Sequence, residues 1–243
     1  MGGADDQFKP ARLRCQIVAA QSLSPEAVEE IREIVRSHLD IGREELLEQI
    51  ARQRRVWLFR DRRGRLEVFF MGNEYPVQIE GSPVLLVALS TFYARHTARG
   101  SPVVALAALR YICGLALRHP RARKVAISGV SEDSWLWYRK TLKSVWTPQH
   151  PDLPHFYRQV IKEACHRFPF WDSDRQTFRL PWCRGPSAPP RPLGSASRSA
   201  LLAEFAALLP SRTSNEHLLL VADLSISNAL PGLRLLLRRA ARS

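Results

Sequence analysis

The segment that decides the fold reads VLLVALSTFYARHTARGSP, residues 84–102. Its first six residues, 84–89, are all apolar, which is typical of a strand covered on both faces of a sheet. A polar stretch rich in arginine follows and ends in Gly100, Ser101 and Pro102. Serine is a favourable helix N-cap and proline is favourable at the first helical position, so the sequence predicts a long helix that begins at Pro102.

A strand that leads through a glycine-containing loop into a helix is suited to binding an anion. The first N–H groups of a helix have no partners within it, the helix dipole adds partial positive charge, and glycine lets the backbone approach a ligand. Arg95 and Arg99 lie just before the predicted helix, and a guanidinium binds phosphate through paired hydrogen bonds. The same residues also fit an ordinary turn whose arginines face water, so this loop alone leaves both interpretations open.

The flanking sequence predicts a mixed succession of strands and helices. On the N-terminal side lie a short strand at residues 13–20, an amphipathic helix opened by Pro25, a second helix, and a hairpin with a turn at Gly64. On the C-terminal side, residues 124–130 form a second buried strand and residues 134–142 a shorter helix. The expected fold class is therefore mixed α/β.

Composition divides the chain into four parts. Residues 1–10 are a polar lead that we expect to be disordered, and residues 11–183 hold the α/β domain. Residues 184–199, rich in proline, serine and glycine, are predicted to form a linker. Residues 200–243 are predicted to form a small helical tail. This tail is too short to build a core, so we expect it to dock on the main domain or on a protein partner.

The chain has 243 residues and is strongly basic. It contains 36 Lys and Arg against 23 Asp and Glu, a formal net charge of +13, which favours anionic partners such as nucleic acid or phosphate-bearing cofactors. Arginines at seven positions between Arg52 and Arg65 alternate with Trp57 and Phe59. This pattern fits a nucleic-acid surface of cations and stacking rings, and equally the solvent side of a hairpin. No zinc-finger or RNP-type motif supports the nucleic-acid interpretation.

Several other classes are excluded by short motifs and hydropathy. The four cysteines are widely spaced without a C-x-x-C pair, which argues against a disulfide scaffold and a zinc site, and the histidines lack metal-ligand spacing. The longest apolar stretch, residues 103–117, is too short to cross a bilayer and contains Arg110. No signal peptide is evident at the N-terminus. We therefore expect a soluble, cytoplasmic protein with no bound metal.

The succession of elements over residues 13–146 resembles the GNAT superfamily, the Gcn5-related N-acyltransferases. In that family the loop before the long helix reads R/Q-x-x-G-x-G/A and holds the pyrophosphate of coenzyme A. When Gly100 is aligned with the first glycine, Thr97 stands in place of the Arg or Gln. Pro102, which has no N–H, then stands in place of the second small residue. This chain therefore carries a degraded form of the motif.

The resemblance implies that acetyl-CoA or another acyl-CoA is the cofactor. The thioester is expected to lie along the end of the strand at residues 84–89. The residues implied in binding the cofactor are Leu89, Arg95, Arg99, Gly100 and Ser101.

A second correspondence lies in the segment EDSWLWYRKTL, residues 132–142. Tyr138 matches the tyrosine that often serves the family as general acid to the coenzyme A thiolate. A phenol, with an ordinary pKa near 10, is suited to donating that proton, although most helical tyrosines are packing residues. The candidates for the general base are the acids in or next to strands, Glu67, Glu74 and Glu80. Glu80, or a water in its place, is the expected base.

The implied function is that of an acyl-CoA-dependent acyltransferase acting on an unknown amine or hydroxyl acceptor. The alternative is a catalytically inactive GNAT-like module. Such a module would bind a protein or nucleic acid through its basic surface and its apolar tail.

Overall fold

The computed structural model describes residues 13–38, 41–95, 102–167, 171–172, 177–179, 196–209 and 216–240. Within these ranges, no helix is both long and apolar enough to cross a membrane. The strands are β1 (Arg14–Ala19), β2 (Arg55–Arg60), β3 (Leu66–Ile79), β4 (Ser82–Ala94), β5 (Arg123–Val130), β6 (Trp171–Asp172), β7 (Thr177–Arg179) and β8 (Glu216–Asp223). The α-helices are α1 (Pro25–Arg36), α2 (Arg43–Ala51), α3 (Pro102–Arg118), α4 (Glu132–Thr141), α5 (His155–Cys165), α6 (Ala196–Leu208) and α7 (Ile226–Ala240).

All eight strands join in one mixed sheet of order β1-β2-β3-β4-β5-β8-β7-β6. Strands β1 to β4 are antiparallel, β4 and β5 are parallel, and β5 pairs antiparallel with β8. The predicted mixed α/β fold and the predicted order of its elements up to α4 are confirmed.

Helices α1 and α3 begin, and the hairpin turns, at the residues that the sequence predicts. The side chain of Ser24 caps α1 by accepting a hydrogen bond from the N–H of Ala27, and Pro25 is the first helical residue. Helix α3 begins at Pro102, and Gly64 forms the turn between β2 and β3 with a φ of 84°. That left-handed conformation strains any residue with a Cβ, which explains the glycine.

Helices cover both faces of the sheet. Helices α1 and α2 pack on one face over β2 and β3, and α5 packs on the same face over β4, β5 and β8. The opposite face carries α3 over β2 to β5, and α4 and α6 over β8. Helix α7 lies between α3 and α4 and contacts both, with Ala229 packed against the two core clusters of that face.

The two rings proposed for nucleic-acid stacking lie in the core. Trp57 is 1% exposed and Phe59 is fully buried, and both pack against α3. Helices cover β2 on both faces, with α3 over the two rings and α1 and α2 over Val56 and Leu58, whereas Arg55 is exposed at the start of the strand. The stacking interpretation of this segment is therefore corrected: its rings are core residues.

The C-terminal segment is an integral part of the sheet, which corrects the prediction of a purely helical tail. Strand β8 lies next to β5, and its residues from Leu218 to Ala222 are at most 1% exposed. An apolar run buried on both faces is typical of a central strand. The predicted linker at 184–195 lies outside the described residues, and residues 196–199 belong to α6.

A cluster built around one ion pair joins β5, β8 and α5 at the end of β8. Nε and Nη2 of Arg123 donate to the two carboxylate oxygens of Asp223 at 2.9 and 2.8 Å. The Tyr157 hydroxyl donates to the same carboxylate at 2.8 Å, and the Arg123 guanidinium lies 3.7 Å from the centre of the Phe156 ring. Because each partner comes from a different element, this cluster reports directly on the docking of β8.

A double-mutant cycle tests this arrangement. We expect Arg123→Ala and Asp223→Ala to show a coupling free energy of about 1–2 kcal/mol in urea unfolding, because the bidentate contact crosses two strands. The control cycle is Arg52→Ala with Glu48→Ala, an exposed pair four residues apart at the C-terminal end of α2. That pair is expected to couple by about 0.3–0.5 kcal/mol. Equal coupling in the two cycles would contradict the placement of β8.

Candidate active site

The opening that defines the candidate site forms where β4 and β5 separate. The two strands pair from Val84 and Arg123 as far as Ala88 and Ile127. Beyond that point, β4 continues to Ala94 beside β3 and β5 continues to Val130 beside β8. The facing edges of the two strands therefore diverge beyond Leu89, and their backbone groups no longer pair with each other.

A β-bulge in β4 lies at the point of divergence. Gly72 of β3 pairs with Leu89, whereas Met71 pairs with Thr91, so Ser90 is the extra residue of the bulge. A bulge bends its strand and increases the local twist, which accounts for the turn of β4 away from β5. Gly72 permits this geometry, because a Cβ there would lie 2.5 Å from the carbonyl oxygen of Ala88.

Ser128 connects the point of divergence to Tyr138. Its hydroxyl donates to the carbonyl oxygen of Leu89 at 3.1 Å and shares a hydrogen bond with the Tyr138 side chain. Leu89 itself is half-buried. The Tyr138 hydroxyl therefore lies one side chain away from the opening.

The surroundings of Tyr138 keep its phenol protonated. The side chain is 8% exposed and packs with Trp135, Leu142 and Leu218. Burial raises the pKa of Tyr138 to about 12, and the hydrogen bond with Ser128 acts in the opposite direction. At neutral pH this group is a hydrogen-bond donor held at a fixed position.

A second buried phenol faces the same region from α3. Tyr111 is 4% exposed and its hydroxyl has no hydrogen-bond partner among the described residues. Burial raises the pKa of Tyr111, and Tyr138 is close enough to add to that rise. Both phenols, one on α3 and one on α4, are therefore protonated at neutral pH.

Glu80 is not brought together with Tyr138. It occupies the turn before β4, with a φ of 51°, and its Oε1 lies 2.7 Å from Nε2 of His155. The strand between Ser82 and Leu89 spans seven steps, roughly 23 Å. The expected general base therefore lies at the opposite end of the strand from the phenol.

The Arg95 side chain is already bound within the protein, and these contacts compete with phosphate binding. Its Nε donates to the carbonyl oxygen of Leu66 at 2.8 Å and its Nη2 donates to Glu33 at 2.9 Å, with the side chain 14% exposed. These contacts attach α1 to β3. The remaining residues expected to bind the cofactor, Arg99, Gly100 and Ser101, lie outside the described residues.

Sequence reasoning missed Ser128 and Gly72. Residues 124–130 were interpreted only as a buried strand, although Ser128 and Gly129 interrupt its apolar run near the end. A hydroxyl inside a buried strand needs a hydrogen-bond partner, which was the available signal. Gly72 lies within β3, where the absence of a side chain admits the backbone of β4.

The bulge gives a stability prediction. We expect Gly72→Ala to lower the free energy of unfolding by roughly 1–3 kcal/mol, because the added methyl group meets backbone atoms of β4. The control is Gly42→Ser, where the new Cβ meets only a side-chain oxygen of Glu45 at 3.6 Å. A Gly72→Ala protein as stable as the wild type in urea unfolding would contradict the described register.

The raised pKa of Tyr138 gives a pH prediction. In the unfolded chain the phenol titrates near pH 10, and in the folded protein near pH 12, so the unfolded state loses its proton first. Stability is therefore full below pH 10 and falls as the pH rises towards 12. By pH 11 the wild type should lose about 1.4 kcal/mol more than Tyr138→Phe, relative to pH 9. Urea unfolding of both proteins measures this difference, and parallel pH profiles would refute the burial of the phenol.

Comparison with known proteins returns solved structures, whereas no family model and no curated protein matches the sequence. An acetyltransferase of the GNAT family from Staphylococcus aureus Mu50 is 10% identical, with 87% of this chain and all of that chain covered and a TM-score of 0.44. The Escherichia coli GNAT family N-acetyltransferase YhbS, in complex with CoA, is 15% identical, with 56% and 71% covered and a TM-score of 0.38.

A third similar structure is a probable N-acyltransferase from Enterococcus faecalis V583, 12% identical, with 54% of this chain covered and a TM-score of 0.38. The chain spans one third of the length of that protein. At these identities and scores, no activity, ligand or partner is transferred from the three proteins.

Proposed function

We propose that this chain is a GNAT-like acyltransferase that transfers an acyl group from a coenzyme A thioester to an amine or hydroxyl acceptor. The observation that supports the proposal is the divergence of β4 from β5 with a buried phenol at its side. Leu89, Ser128 and Tyr138 form one hydrogen-bonded series from the strand edge to the phenol.

The edge of β4 beyond Leu89 is suited to the pantetheine arm of coenzyme A. On its other side, this part of β4 pairs with β3, and its pairing with β5 has ended at Ala88. An extended chain that carries amide groups can hydrogen-bond to such an edge as an added strand. The start of α3 at Pro102 follows the same strand, so the phosphates would lie near Arg99, Gly100 and Ser101.

The proposed reaction is attack by the acceptor on the thioester carbonyl carbon. A bond forms between the acceptor nitrogen or oxygen and the acyl carbon, and the carbon–sulfur bond breaks as sulfur takes the electron pair. Tyr138 donates a hydrogen bond to the sulfur as negative charge develops. The acceptor's proton passes to water, because Glu80 lies at the other end of β4. A phenol with a pKa of about 12 is a weaker acid than a thiol, so the hydrogen bond carries most of the effect.

Binding is tested first, by calorimetric titration of the full chain with acetyl-CoA and longer acyl-CoAs. Saturable binding of at least one thioester is expected, and absence of binding by all of them would overturn the proposal. Because the acceptor is unknown, turnover is then followed as thiol release in the presence of a panel of amines and alcohols.

Tyr138→Phe separates catalysis from binding. We expect thiol release to fall at least tenfold, and up to the roughly 10²–10³-fold typical of a lost hydrogen bond to developing charge, with acyl-CoA affinity within about twofold of the wild type. The matched control is Tyr75→Phe, because Tyr75 is a tyrosine on β3 that packs on the opposite face of the sheet. Equal turnover by both variants would remove Tyr138 from the reaction.

The degraded loop motif before α3 and the net charge of +13 favour the second candidate function, a catalytically inactive binding module. In such a module the basic surface would bind a polyanion. Retention on heparin that falls steeply with salt, together with no affinity for any acyl-CoA, would favour this function over the acyltransferase.

A further inference from the structure

A cavity separate from the candidate active site lies between α4 and α7. Its volume is about 390 Å³, and it is lined by Lys140, Pro231, Arg234 and Leu235. Tyr138 points from α4 towards the sheet, whereas Lys140 follows two residues later, about 200° around the helix, and is exposed. The cavity therefore opens on the outer side of α4 and shares no lining residue with the phenol site.

Two cations in this cavity lack an anionic partner. In the part of the chain that the structure describes, Lys140 and Arg234 form neither an ion pair nor a hydrogen bond through their side chains. The neighbouring Arg139 differs, because its Nε lies 3.3 Å from a carboxylate oxygen of Glu204. Two like charges beside one cavity repel each other, and an anion bound between them would relieve that repulsion.

The other two lining residues that the structure describes are apolar. Pro231 and Leu235 lie on α7, and Leu235 is 39% exposed. Leu230, on the same helix, is 42% exposed. Large apolar side chains left in water beside cations provide both contacts that an amphipathic anion needs.

The helix itself is firmly attached, so the cavity is part of the fold. Asn228 accepts a hydrogen bond from the N–H of Ser144 at 2.8 Å and donates to the carbonyl oxygens of Ser144 and Asp223 at 3.1 and 2.9 Å. Gly232 brings α7 close to α4, because a Cβ at that residue would lie 3.0 Å from the carbonyl oxygen of Thr141. The two walls of the cavity are thus held at a fixed spacing.

We propose that this cavity binds a small amphipathic anion. A carboxylate or phosphate headgroup lies between Lys140 and Arg234, and the apolar body of the ligand packs on Pro231 and Leu235. A volume of about 390 Å³ is in the range of small-molecule sites. The proposal does not depend on the acyltransferase function.

The probes are octyl phosphate, octanoate and inorganic phosphate, each titrated into the full chain by calorimetry below the micellar range. Octyl phosphate is expected to bind saturably and more tightly than inorganic phosphate, because only the former has an apolar body. Binding of octyl phosphate alone assigns a phosphate headgroup, binding of octanoate alone assigns a carboxylate, and either result supports the site.

Variants locate the binding. Lys140→Ala and Arg234→Ala are each expected to weaken octyl phosphate binding about tenfold or more, since each removes a charge-assisted contact. Leu235→Ser should weaken octyl phosphate and leave inorganic phosphate unchanged. The control is Arg121→Ala, an exposed arginine in the loop after α3. All four positions are on the surface, and thermal unfolding checks that each variant is folded.

Three results would overturn the proposal. The first is the absence of binding by octanoate and octyl phosphate. The second is equal affinity in the wild type, Lys140→Ala and Arg234→Ala. The third is binding to phosphatidylglycerol vesicles without binding of either monomeric probe, which would identify α7 as a membrane-surface helix.

Discussion

The separation of β4 from β5 is the constraint on which the rest of this structure depends. Parallel strands that pair along their whole length have no open edge between them, whereas these two pair for five residues and then part. The bulge at Ser90 bends β4, and the missing side chain of Gly72 makes room for its backbone. The Ser128 hydroxyl donates a hydrogen bond to the carbonyl oxygen of Leu89, which would otherwise be left unpaired where the strands part.

The separation is maintained because β5 has a partner on its other side. Strand β8, about ninety residues further along the chain, pairs with β5 from Val125 to Val130. An unpaired β5 edge would expose a row of backbone N–H and C=O groups, which proteins generally avoid. The ion pair of Arg123 with Asp223 lies at the other end of the same strand pair. A distant segment therefore stabilises the opening that β4 alone would not form.

Local chemistry was readable from the sequence, and long-range pairing was not. Ser24 and Pro25 mark the start of α1, and the apolar run at 84–89 marks a buried strand, because caps and burial are encoded within a few residues. The partner of a strand is set by the whole sheet, so β8 was assigned to a tail. For the same reason, the separation of Glu80 from Tyr138 could be predicted only once the direction of β4 was known. The salt bridge of Arg95 with Glu33 could be predicted only once the position of α1 was known.

The ion pairs of the protein show which of its many cations are available to bind a partner. Several arginines that an unfolded chain would offer to any anion are already bound within the protein, as Arg95 is to Glu33, Arg139 to Glu204 and Arg60 to Glu30. The count of 36 Lys and Arg therefore overstates the number of cations free to bind a partner, whereas the net charge of +13 is not changed by these ion pairs. The cations that matter for binding are those left without a carboxylate beside apolar surface. Lys140 and Arg234 satisfy both conditions within the described residues, and they do so on a helix pair fixed by the same C-terminal segment that supports the opening of the sheet.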